Sequence, residues 1–341
     1  KVFPKLVSQE QTVPSGTLNK TNAKMEGKMQ MFKKIRSIIS ALTLMIFSMS
    51  AGIAFAADKI VIGFSQGTMN HPWRVAMVEG NQKYAEANLS DVELIVTDGQ
   101  NVSSKQVTDV ESLIARGIDI LMISPLTSDA LTPVVQDALD AGIKVVTLDR
   151  KVNVPVTVHV GALNKPIGEQ AGKFLADTLG GKGNIIEIQG TAGASATVDR
   201  HDGFADGIAG SGLEIIAEQH ADYLRENAVK FMEDMLQRFG PGEIQAVYAH
   251  NDEMALGAIQ ALEAAGRLSE VSVVGVDGQE TAYEAIKAGK MAATFTYPYV
   301  APEGVQIAYK VAKGESVGSE VILPGKQVDA NNIDDMLGTG F

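Results

Sequence analysis

An aspartate and an arginine stand side by side where a predicted β-strand ends. Asp149 and Arg150 directly follow the apolar run 143–148, which is typical of a buried strand. A carboxylate accepts hydrogen bonds from hydroxyl groups, and a guanidinium donates two parallel hydrogen bonds. In an open α/β sheet, ligands bind at the carboxyl ends of the strands. The pair is therefore a candidate site for a polyhydroxylated ligand, and the alternative interpretation is an ordinary surface ion pair.

The loop after the first predicted strand, residues 59–65, carries an aromatic residue and a second arginine. Trp73, the only tryptophan in the chain, could pack the rim of a lobe or offer a flat apolar face to a sugar ring. Arg74 lies in the first turn of the predicted helix 72–88, where a cation opposes the helix dipole. We therefore expect an anionic or oxygen-rich group to compensate Arg74.

The second half of the chain has a similar layout. A glycine-rich turn, residues 189–194, follows the predicted strand 184–188, Ser195 is a good N-cap for the next helix, and Arg200 lies early in that helix. Neither this turn nor the turn at residues 63–67 has the spacing of a phosphate-binding or dinucleotide-binding loop. We therefore expect no nucleotide cofactor.

Two further predicted strands of the second half end in polar residues. Asn251 precedes a predicted helix, which it could cap while presenting its amide to a ligand. Asp277 follows the strand 272–276 and supplies a second carboxylate opposite Asp149. His250 and its neighbouring carboxylates do not converge on one point, and the chain contains no cysteine. We therefore expect no metal site and no other cofactor.

Short β-branched runs alternate with longer amphipathic runs from residue 59 onward, which indicates βαβ units and parallel sheets. The predicted strands are residues 59–65, 92–97, 118–124, 143–148, 157–161, 184–188, 214–218, 246–249, 272–276 and 292–296. The predicted helices are residues 72–88, 103–116, 129–141, 165–179, 195–209, 225–238, 252–265 and 280–288. Ten strands are too many for one ordinary doubly wound sheet, so we predict two sheets with a boundary near Ala162.

The two predicted sheets define two lobes joined by short hinge segments. Residues 57–162 plus 298–325 are expected to form the N-terminal lobe. Residues 163–297 plus 326–341 are expected to form the C-terminal lobe. The tail contributes a predicted helix, residues 302–313, and a late predicted strand, residues 321–323, which could return to the first lobe.

The N-terminal region has the pattern of a secretory signal peptide, residues 31–56. Basic residues precede an apolar run at residues 38–47, and small residues lead to a cleavage site after Ala56. The alternative is a membrane anchor, but this run is shorter than the roughly 20 residues needed to span a bilayer. We therefore expect cleavage and no stable membrane insertion after processing. Residues 1–30, polar and without periodicity, are expected to be an upstream or non-native segment.

Removal of the first 56 residues makes the chain strongly acidic. That segment contains eight Lys and Arg against two Asp and Glu, so its loss changes the formal net charge from −12 to −18. A surface this acidic repels the phosphates of nucleic acid, which is therefore not an expected partner. The remaining chain is long enough to bury the cores of two domains without disulfide bonds.

Four blocks of residues match one protein family in residue type and order. They are residues 147–150, residues 189–191 with 200–204, residues 249–258 and residues 276–278. With these blocks the chain after residue 56 resembles, over nearly its whole length, the sugar receptors of bacterial ABC importers, above all ribose-binding and galactofuranose-binding periplasmic proteins. The resemblance implies the type I periplasmic binding protein fold, which is α/β with two doubly wound parallel-sheet lobes joined by a multi-strand hinge.

The resemblance also implies which residues bind the ligand. Five polar residues at its motif positions are expected to bind hydroxyl groups, namely Asp149, Arg150, Arg200, Asn251 and Asp277. Trp73 and Tyr223 fall where the family has aromatic walls. Ribose receptors carry other residues at the positions of His71, Arg74 and Tyr297, whereas the Trp73-Arg74 pair is similar to that of galactofuranose receptors. We therefore expect a furanose, or a related pentose or hexose, with Arg74 and Tyr297 also in contact with it.

The implied function is a solute-binding receptor of the periplasm that captures a monosaccharide between two lobes and delivers it to an ABC-type permease. The expected partners are the sugar and the permease subunit, and a chemoreceptor is a further candidate. One alternative is a ligand-binding transcription regulator of the related repressor family, but the signal peptide occupies the place of its DNA-binding segment. Another is a glycoside-acting enzyme that uses Asp149 and Asp277 as its carboxylate pair. No nucleophile motif accompanies that pair, so we do not expect an enzyme.

Overall fold

The computed structural model describes residues 59–341 and, upstream of them, only Met29 and Met31. Residues 59–341 form one compact unit. Apart from those two methionines, the predicted upstream segment, the predicted signal peptide and the cleavage site after Ala56 lie outside the described residues. No helix in the described part of the chain is long and apolar enough to cross a membrane.

Residues 59–341 contain strands that form two sheets of six strands each. In chain order they are β1 (Ile60–Gln66), β2 (Val92–Asp98), β3 (Ile120–Ser124), β4 (Lys144–Leu148), β5 (Val158–Gly161), β6 (Lys182–Gln189), β7 (Gly212–His220), β8 (Ala246–Ala249), β9 (Ser272–Asp277), β10 (Ala293–Thr296), β11 (Glu320–Ile322) and β12 (Gln327–Asp329).

The first sheet has the order β11-β5-β4-β3-β1-β2, and all its strands are parallel. The second has the order β12-β10-β9-β8-β6-β7 and is parallel except for its antiparallel edge strand β12. Both sheets are doubly wound, because in each the strand order reverses beside its first strand. Helices on both faces explain why central strands such as β3 are apolar and buried throughout.

The helices alternate with the strands along the chain. They are α1 (Pro72–Asn88), α2 (Ser103–Ala115), α3 (Ser128–Asp140), α4 (Asn164–Thr178), α5 (Ser195–Ile208), α6 (Arg225–Arg238), α7 (Asp252–Ala264), α8 (Glu280–Lys287), α9 (Glu303–Ala312) and α10 (Ile333–Met336), with a 3₁₀ turn at Leu268–Glu270. The α9 helix packs against α1, β3 and β4, so the tail of the chain returns to the first sheet.

The chain passes between the two sheets at three places. The first passage lies between β5 and α4, the second between β10 and α9, and the third between β11 and β12. This topology is that of two parallel-sheet lobes with a multi-strand connection, which confirms the predicted fold class. Each predicted strand and each of the eight predicted helices before residue 290 has ends within two residues of those observed.

The α4 and α5 helices approach each other unusually closely, and glycine makes this approach possible. A Cβ atom on Gly203 would lie 2.0 Å from the backbone oxygen of Lys165, and one on Gly168 would lie 2.3 Å from that of Arg200. Both distances are far below a van der Waals contact, so a side chain at either position would push the helices apart. The close packing brings the start of α4 beside Arg200.

A buried histidine in the first sheet makes stability depend on pH. His159 on β5 lies with its Nδ1 atom 3.0 Å from the Oγ1 atom of Thr147 on β4. Burial, followed by the charge of Lys151, lowers the pKa of His159 from 6.5 to about 4. Between these values the unfolded chain binds a proton that the folded chain does not bind, so stability decreases as the pH falls through this window.

We predict that the variant His159→Gln loses this part of the pH dependence. A pKa difference of this size corresponds to about 3 kcal/mol of folding free energy across the window. Urea unfolding between pH 7 and pH 4 should therefore show a smaller decrease in the variant than in the wild-type protein. Equal decreases in the two proteins would contradict the assignment of this protonation to His159.

Candidate ligand-binding site

A small cavity lies between the two lobes, at the carboxyl ends of strands from both sheets. About 240 Å³ of space, which includes space open to solvent, lies between His71, Trp73, Arg74, Asp149, Ala196, Arg200, Tyr223, Asp277 and Tyr297. All of these residues are between 1 % and 7 % exposed, so the cleft is closed around the cavity.

Arg74 and Asp149 form a buried ion pair in the wall of the first lobe. The Nη2 atom of Arg74 is 2.6 Å from Oδ2 of Asp149, and its Nη1 atom donates to Oγ of Ser124 at 2.7 Å. Burial tends to raise the pKa of Asp149, but the charges of Arg74 and Arg150 outweigh it and hold that pKa below its usual value. The structure thus provides the anionic group that a cation in the first turn of α1 requires.

Arg150 lies beside the lining residues Asp149 and Tyr223 and is incompletely hydrogen-bonded. Its Nη1 atom donates to the backbone oxygen of Leu126 at 2.7 Å, and its guanidinium lies 5.3 Å from the ring centre of Tyr223. Its Nε and Nη2 atoms have no hydrogen-bond partner, although Nε is 3.8 Å from Oδ2 of Asp149. Burial, followed by the charge of Arg74, lowers the pKa of Arg150 to about 10. This guanidinium edge is open to a pair of acceptor atoms.

The unpartnered polar atoms of the protein concentrate at this site. Seven buried side-chain nitrogen and oxygen atoms of the described residues lack a hydrogen-bond partner, and five of them belong to His71, Arg74 and Arg150. Burial, followed by the charges of Arg74 and Arg150, lowers the pKa of His71 well below its usual value, so its ring is neutral. Unsatisfied buried groups are rare in native proteins. Their concentration here indicates a polar ligand with several hydrogen-bonding groups.

The second lobe contributes Arg200 and Asp277. Arg200 donates through Nε to Oδ1 of Asn164 at 2.9 Å and through Nη1 to the backbone oxygen of His250. Its Nη1 atom is 3.8 Å from Oδ1 of Asp277. Burial raises the pKa of Asp277 well above its usual range, and the nearby Asp252 raises it further against the opposing effect of Arg200. Asp277 can therefore donate as well as accept a hydrogen bond.

Aromatic rings form the apolar part of the cavity. The rings of Trp73 and Tyr297 lie 5.4 Å apart, and Nε1 of Trp73 donates to the backbone oxygen of Tyr297 at 3.0 Å. Tyr223 faces them from the second lobe, and its hydroxyl lies 2.9 Å from Oγ1 of Thr197. Aromatic faces beside convergent polar groups suit a ring with C–H bonds on its faces and hydroxyl groups at its edge.

Asn251 is the predicted site residue whose amide is already engaged. Its Oδ1 atom accepts the backbone N–H of Met254 at 2.9 Å and caps α7, and its Nδ2 atom donates to the backbone oxygen of Tyr223 at 3.2 Å. Neither Asn251 nor Arg150 lines the cavity, whereas the other seven predicted site residues do. Asn251 thus supports Tyr223 from behind.

The sequence analysis assigned one helix cap wrongly and overlooked three residues of the site. The prediction that Ser195 caps α5 is wrong, because Ala194 is the N-cap and Oγ of Ser195 accepts the backbone N–H of Lys151 at 2.8 Å. His71 and Ala196 line the cavity, and Asn164 holds Arg200, although none of the three was predicted as a site residue. An alanine in a helix gives no sequence signal, and an asparagine at a helix start usually indicates a cap.

A second cluster of ionisable residues lies behind the second lobe's part of the site. Glu187, His201 and Glu218 each bring one metal-ligating atom within 4.8 Å of the others. Glu187 is fully buried, and its carboxylate lies 2.9 Å from Nδ1 of His201 and 2.8 Å from Nε2 of His250. The Glu187 carboxylate is therefore the centre of a hydrogen-bond network that includes both histidines.

Comparison with known proteins identifies the family. A model described as the periplasmic binding protein domain matches residues 62–316. The chain belongs to this family. It is 39 % identical over 288 residues to the ribose import binding protein of Salmonella typhimurium, a match that covers 84 % of this chain and 94 % of that protein. The family predicted from the sequence motifs is therefore confirmed.

Two further relatives show the range of ligands associated with this fold. The galactofuranose-binding protein of Escherichia coli is 34 % identical over 262 residues, which cover 74 % of this chain and 80 % of that protein. A solved ABC transporter solute-binding protein from Mycobacterium smegmatis, with bound glycerol, is 40 % identical with a TM-score of 0.77. That match covers 82 % of this chain and 97 % of the solved chain. All three relatives are described as binding proteins rather than enzymes.

Proposed function

We propose that this protein is a periplasmic receptor that captures one monosaccharide molecule in the cleft between its lobes and delivers it to an ABC-type permease. The observation that carries the proposal is the group of five unpartnered polar atoms of His71, Arg74 and Arg150 beside aromatic walls. A sugar offers hydroxyl groups to the polar atoms and C–H faces to the rings. Family membership supports the same assignment.

The proposed mechanism is a two-lobe clamp, with residues 57–162 plus 298–325 in one lobe and residues 163–297 plus 326–341 in the other. The sugar enters the open cleft, and rotation about the hinge completes its hydrogen bonds. Two contacts across the cleft mouth support the closed form. The backbone N–H of Ser128 donates to the oxygen of Gly193 at 3.0 Å, and that of Lys151 donates to Oγ of Ser195 at 2.8 Å.

The favoured ligand is a furanose, or a related pentose or hexose. The side chains that line the cavity are all nearly buried, which favours a single sugar ring over a longer saccharide that would project from the closed cleft. The relatives named for ribose and galactofuranose support the same size class. Because the closed cleft buries the sugar, an epimer would leave a buried polar group unpaired at a cost of about 1–3 kcal/mol, which gives about 5-fold to 150-fold discrimination.

The proposed partners are the permease subunit of an ABC transporter and a chemoreceptor. The chemoreceptor would be a second protein that recognises the closed form. The proposed location is the periplasm, reached by export and cleavage after Ala56. The acidic net charge of the protein gives no support to nucleic acid as a partner.

A thermal-shift screen of the purified protein tests the receptor function. The panel contains galactofuranose, ribose, arabinose, galactose, fructose, sugar alcohols and furanosyl autoinducer-type compounds. A sugar that binds only the folded state should add about 2.7 kcal/mol of stability at a hundred times its dissociation constant. For a protein of this size we therefore expect one sugar to raise Tm by about 5 °C or more.

The screen requires protein that has been freed of co-purified sugar by partial unfolding and refolding. A neutral disaccharide serves as a control that should give no shift, because its second ring would have to project through the closed cleft. A panel without any shift, confirmed by calorimetry, would contradict the proposed function.

A further inference from the structure

We infer that Asn164 is a positioning residue, which couples Arg200 to the hinge through the hydroxyl group of Tyr297. This inference rests on the proposed function, because it concerns how the sugar site is held in its closed form. Asn164 is the first residue of α4 and follows the first passage between the sheets, whereas Tyr297 begins the second passage. Asn164 is 5 % exposed and does not line the cavity.

The side chain of Asn164 joins two residues that lie on different segments. Its Oδ1 atom accepts the Nε–H of Arg200 at 2.9 Å, and its Nδ2 atom donates to the hydroxyl oxygen of Tyr297 at 3.3 Å. The hydroxyl of Tyr297 donates in turn to the backbone oxygen of Asp149 at 3.4 Å. A continuous chain of hydrogen bonds thus runs from the arginine of the second lobe to the carboxylate residue of the first.

The direction of each hydrogen bond follows from which side chains can donate and which can accept. These capacities also fix the orientation of the Asn164 amide. A guanidinium can only donate, so the oxygen of Asn164 must face Arg200 and the nitrogen must face Tyr297. The tyrosine hydroxyl accepts from that nitrogen, so its own proton is available for the backbone oxygen of Asp149. Each donor meets one acceptor, and a reversed amide would place two donors in contact.

The contacts of Arg200 explain why this chain of hydrogen bonds matters for sugar binding. Its Nε atom is held by Asn164 and its Nη1 atom by the backbone oxygen of His250, which fixes the plane of the guanidinium. Within residues 59–341 no hydrogen bond from its Nη2 atom is found, so this nitrogen is the one available to a sugar. Loss of the Asn164 contact would free the guanidinium to rotate away from that position.

The hinge geometry adds a kinetic consequence. Asn164 and Arg200 lie on the two closely packed helices α4 and α5, and therefore move together. Asp149 lies on the other lobe, so the bond from Tyr297 to its backbone oxygen exists in the closed form and would lengthen on opening. The chain of hydrogen bonds should therefore slow the release of sugar from the cleft and have little effect on the entry of sugar.

The experiment measures sugar binding to Asn164→Ala, Asn164→Asp and Tyr297→Phe by stopped-flow fluorescence of Trp73, the only tryptophan in the chain. D-ribose, D-galactose and L-arabinose are the probes, each titrated separately. For a sugar that the wild-type protein binds, Asn164→Ala should raise the dissociation rate constant about tenfold, which corresponds to the loss of one hydrogen bond to a charged group. The association rate constant should stay within about twofold.

Two comparisons separate positioning from simple damage to the fold. Asn164→Asp keeps the acceptor for Arg200 but loses the donor to Tyr297, so its dissociation rate constant should lie between those of the wild-type protein and Asn164→Ala. Tyr297→Phe and Asn164→Ala should act non-additively, so that the double variant releases sugar little faster than Asn164→Ala alone. The exposed Gln170, which lies on the same helix, provides the control Gln170→Ala with unchanged rate constants.

Wild-type dissociation rates in Asn164→Ala, or equal acceleration in Asn164→Ala and Asn164→Asp, would overturn the positioning role and leave the receptor function intact. Absence of binding by the wild-type protein to every sugar of the thermal-shift panel would overturn the proposed function and this inference with it.

Discussion

Replacement of Arg150 by methionine should abolish sugar binding while leaving the ligand-free protein as stable as before, or more stable. Arg150 is 1 % exposed and its Nε and Nη2 atoms have no partner, so the protein buries a cation that is incompletely compensated. The change leaves Asp149 paired with Arg74, so it removes a buried cation without leaving the Asp149 carboxylate unpaired. The same change would remove the two charge-assisted hydrogen bonds that we propose between Arg150 and the sugar, together about 3 kcal/mol or more, so affinity should fall at least 100-fold.

Calorimetric titration and urea unfolding of the ligand-free protein measure the two effects separately. Arg225→Met is the matched control, because Arg225 donates through the same two atoms, Nε and Nη2, to the carboxylate of Glu253 at 3.0 Å and 2.7 Å. That arginine is satisfied within the protein and lies outside the cavity, so its loss should leave affinity unchanged and should not increase stability. Near-wild-type affinity of Arg150→Met would remove Arg150 from the site.

Replacement of Asp149 by asparagine should destabilise the protein by about 3–5 kcal/mol and abolish binding, because it breaks a buried ion pair at one partner. The Nη2 atom of Arg74 lies 2.6 Å from Oδ2 of Asp149, and Arg150 lies next to the same oxygen. Asparagine keeps the size of the side chain and tolerates the left-handed backbone conformation at this position, where φ is 62°. The expected effect is therefore due to the lost charge. Urea unfolding at neutral pH measures it.

The double variant Arg74→Met with Asp149→Asn provides the internal control for this prediction. It removes both charges of the pair, so most of the lost stability should return, while sugar binding should not. The two single changes are in direct contact and should be strongly non-additive. A decrease of less than about 1 kcal/mol in the free energy of unfolding of Asp149→Asn would show that the ion pair does not stabilise the protein to the expected extent.

The fold could be predicted from the sequence because periodicity and strand ends are local signals. Runs such as Lys144–Leu148 and Ser272–Asp277 are apolar, short and followed by polar residues, and parallel pairing then places those residues at one edge of each sheet. The β12 strand escaped prediction because Gln327–Asp329 is too short to show a period and pairs in the antiparallel direction. The α10 helix, of four residues, is too short for the same reason.

The types of residue in the site could be predicted from the sequence, but the contacts that each residue makes could not. The unfavourable position of Arg74 at a helix start implied an anionic partner, and the structure identifies it as Asp149. At Asp149 the chain has a positive φ, and the Asp149 carboxylate lines the cavity while Arg150 lies beside it. Asn251 and Asn164 both precede or begin helices, and only tertiary contacts distinguish the cap from the residue that holds Arg200.

The measurement that tests the account most directly is a crystal structure of the protein with the sugar that gives the largest thermal shift. We predict one sugar molecule in the closed cleft, with its ring against Trp73 and two of its oxygen atoms within about 3.2 Å of Nε and Nη2 of Arg150. Asp277 should lie within hydrogen-bonding distance of another hydroxyl group of the same sugar. A sugar bound elsewhere, or one bound in the cleft with both nitrogen atoms of Arg150 still unpartnered, would contradict the account.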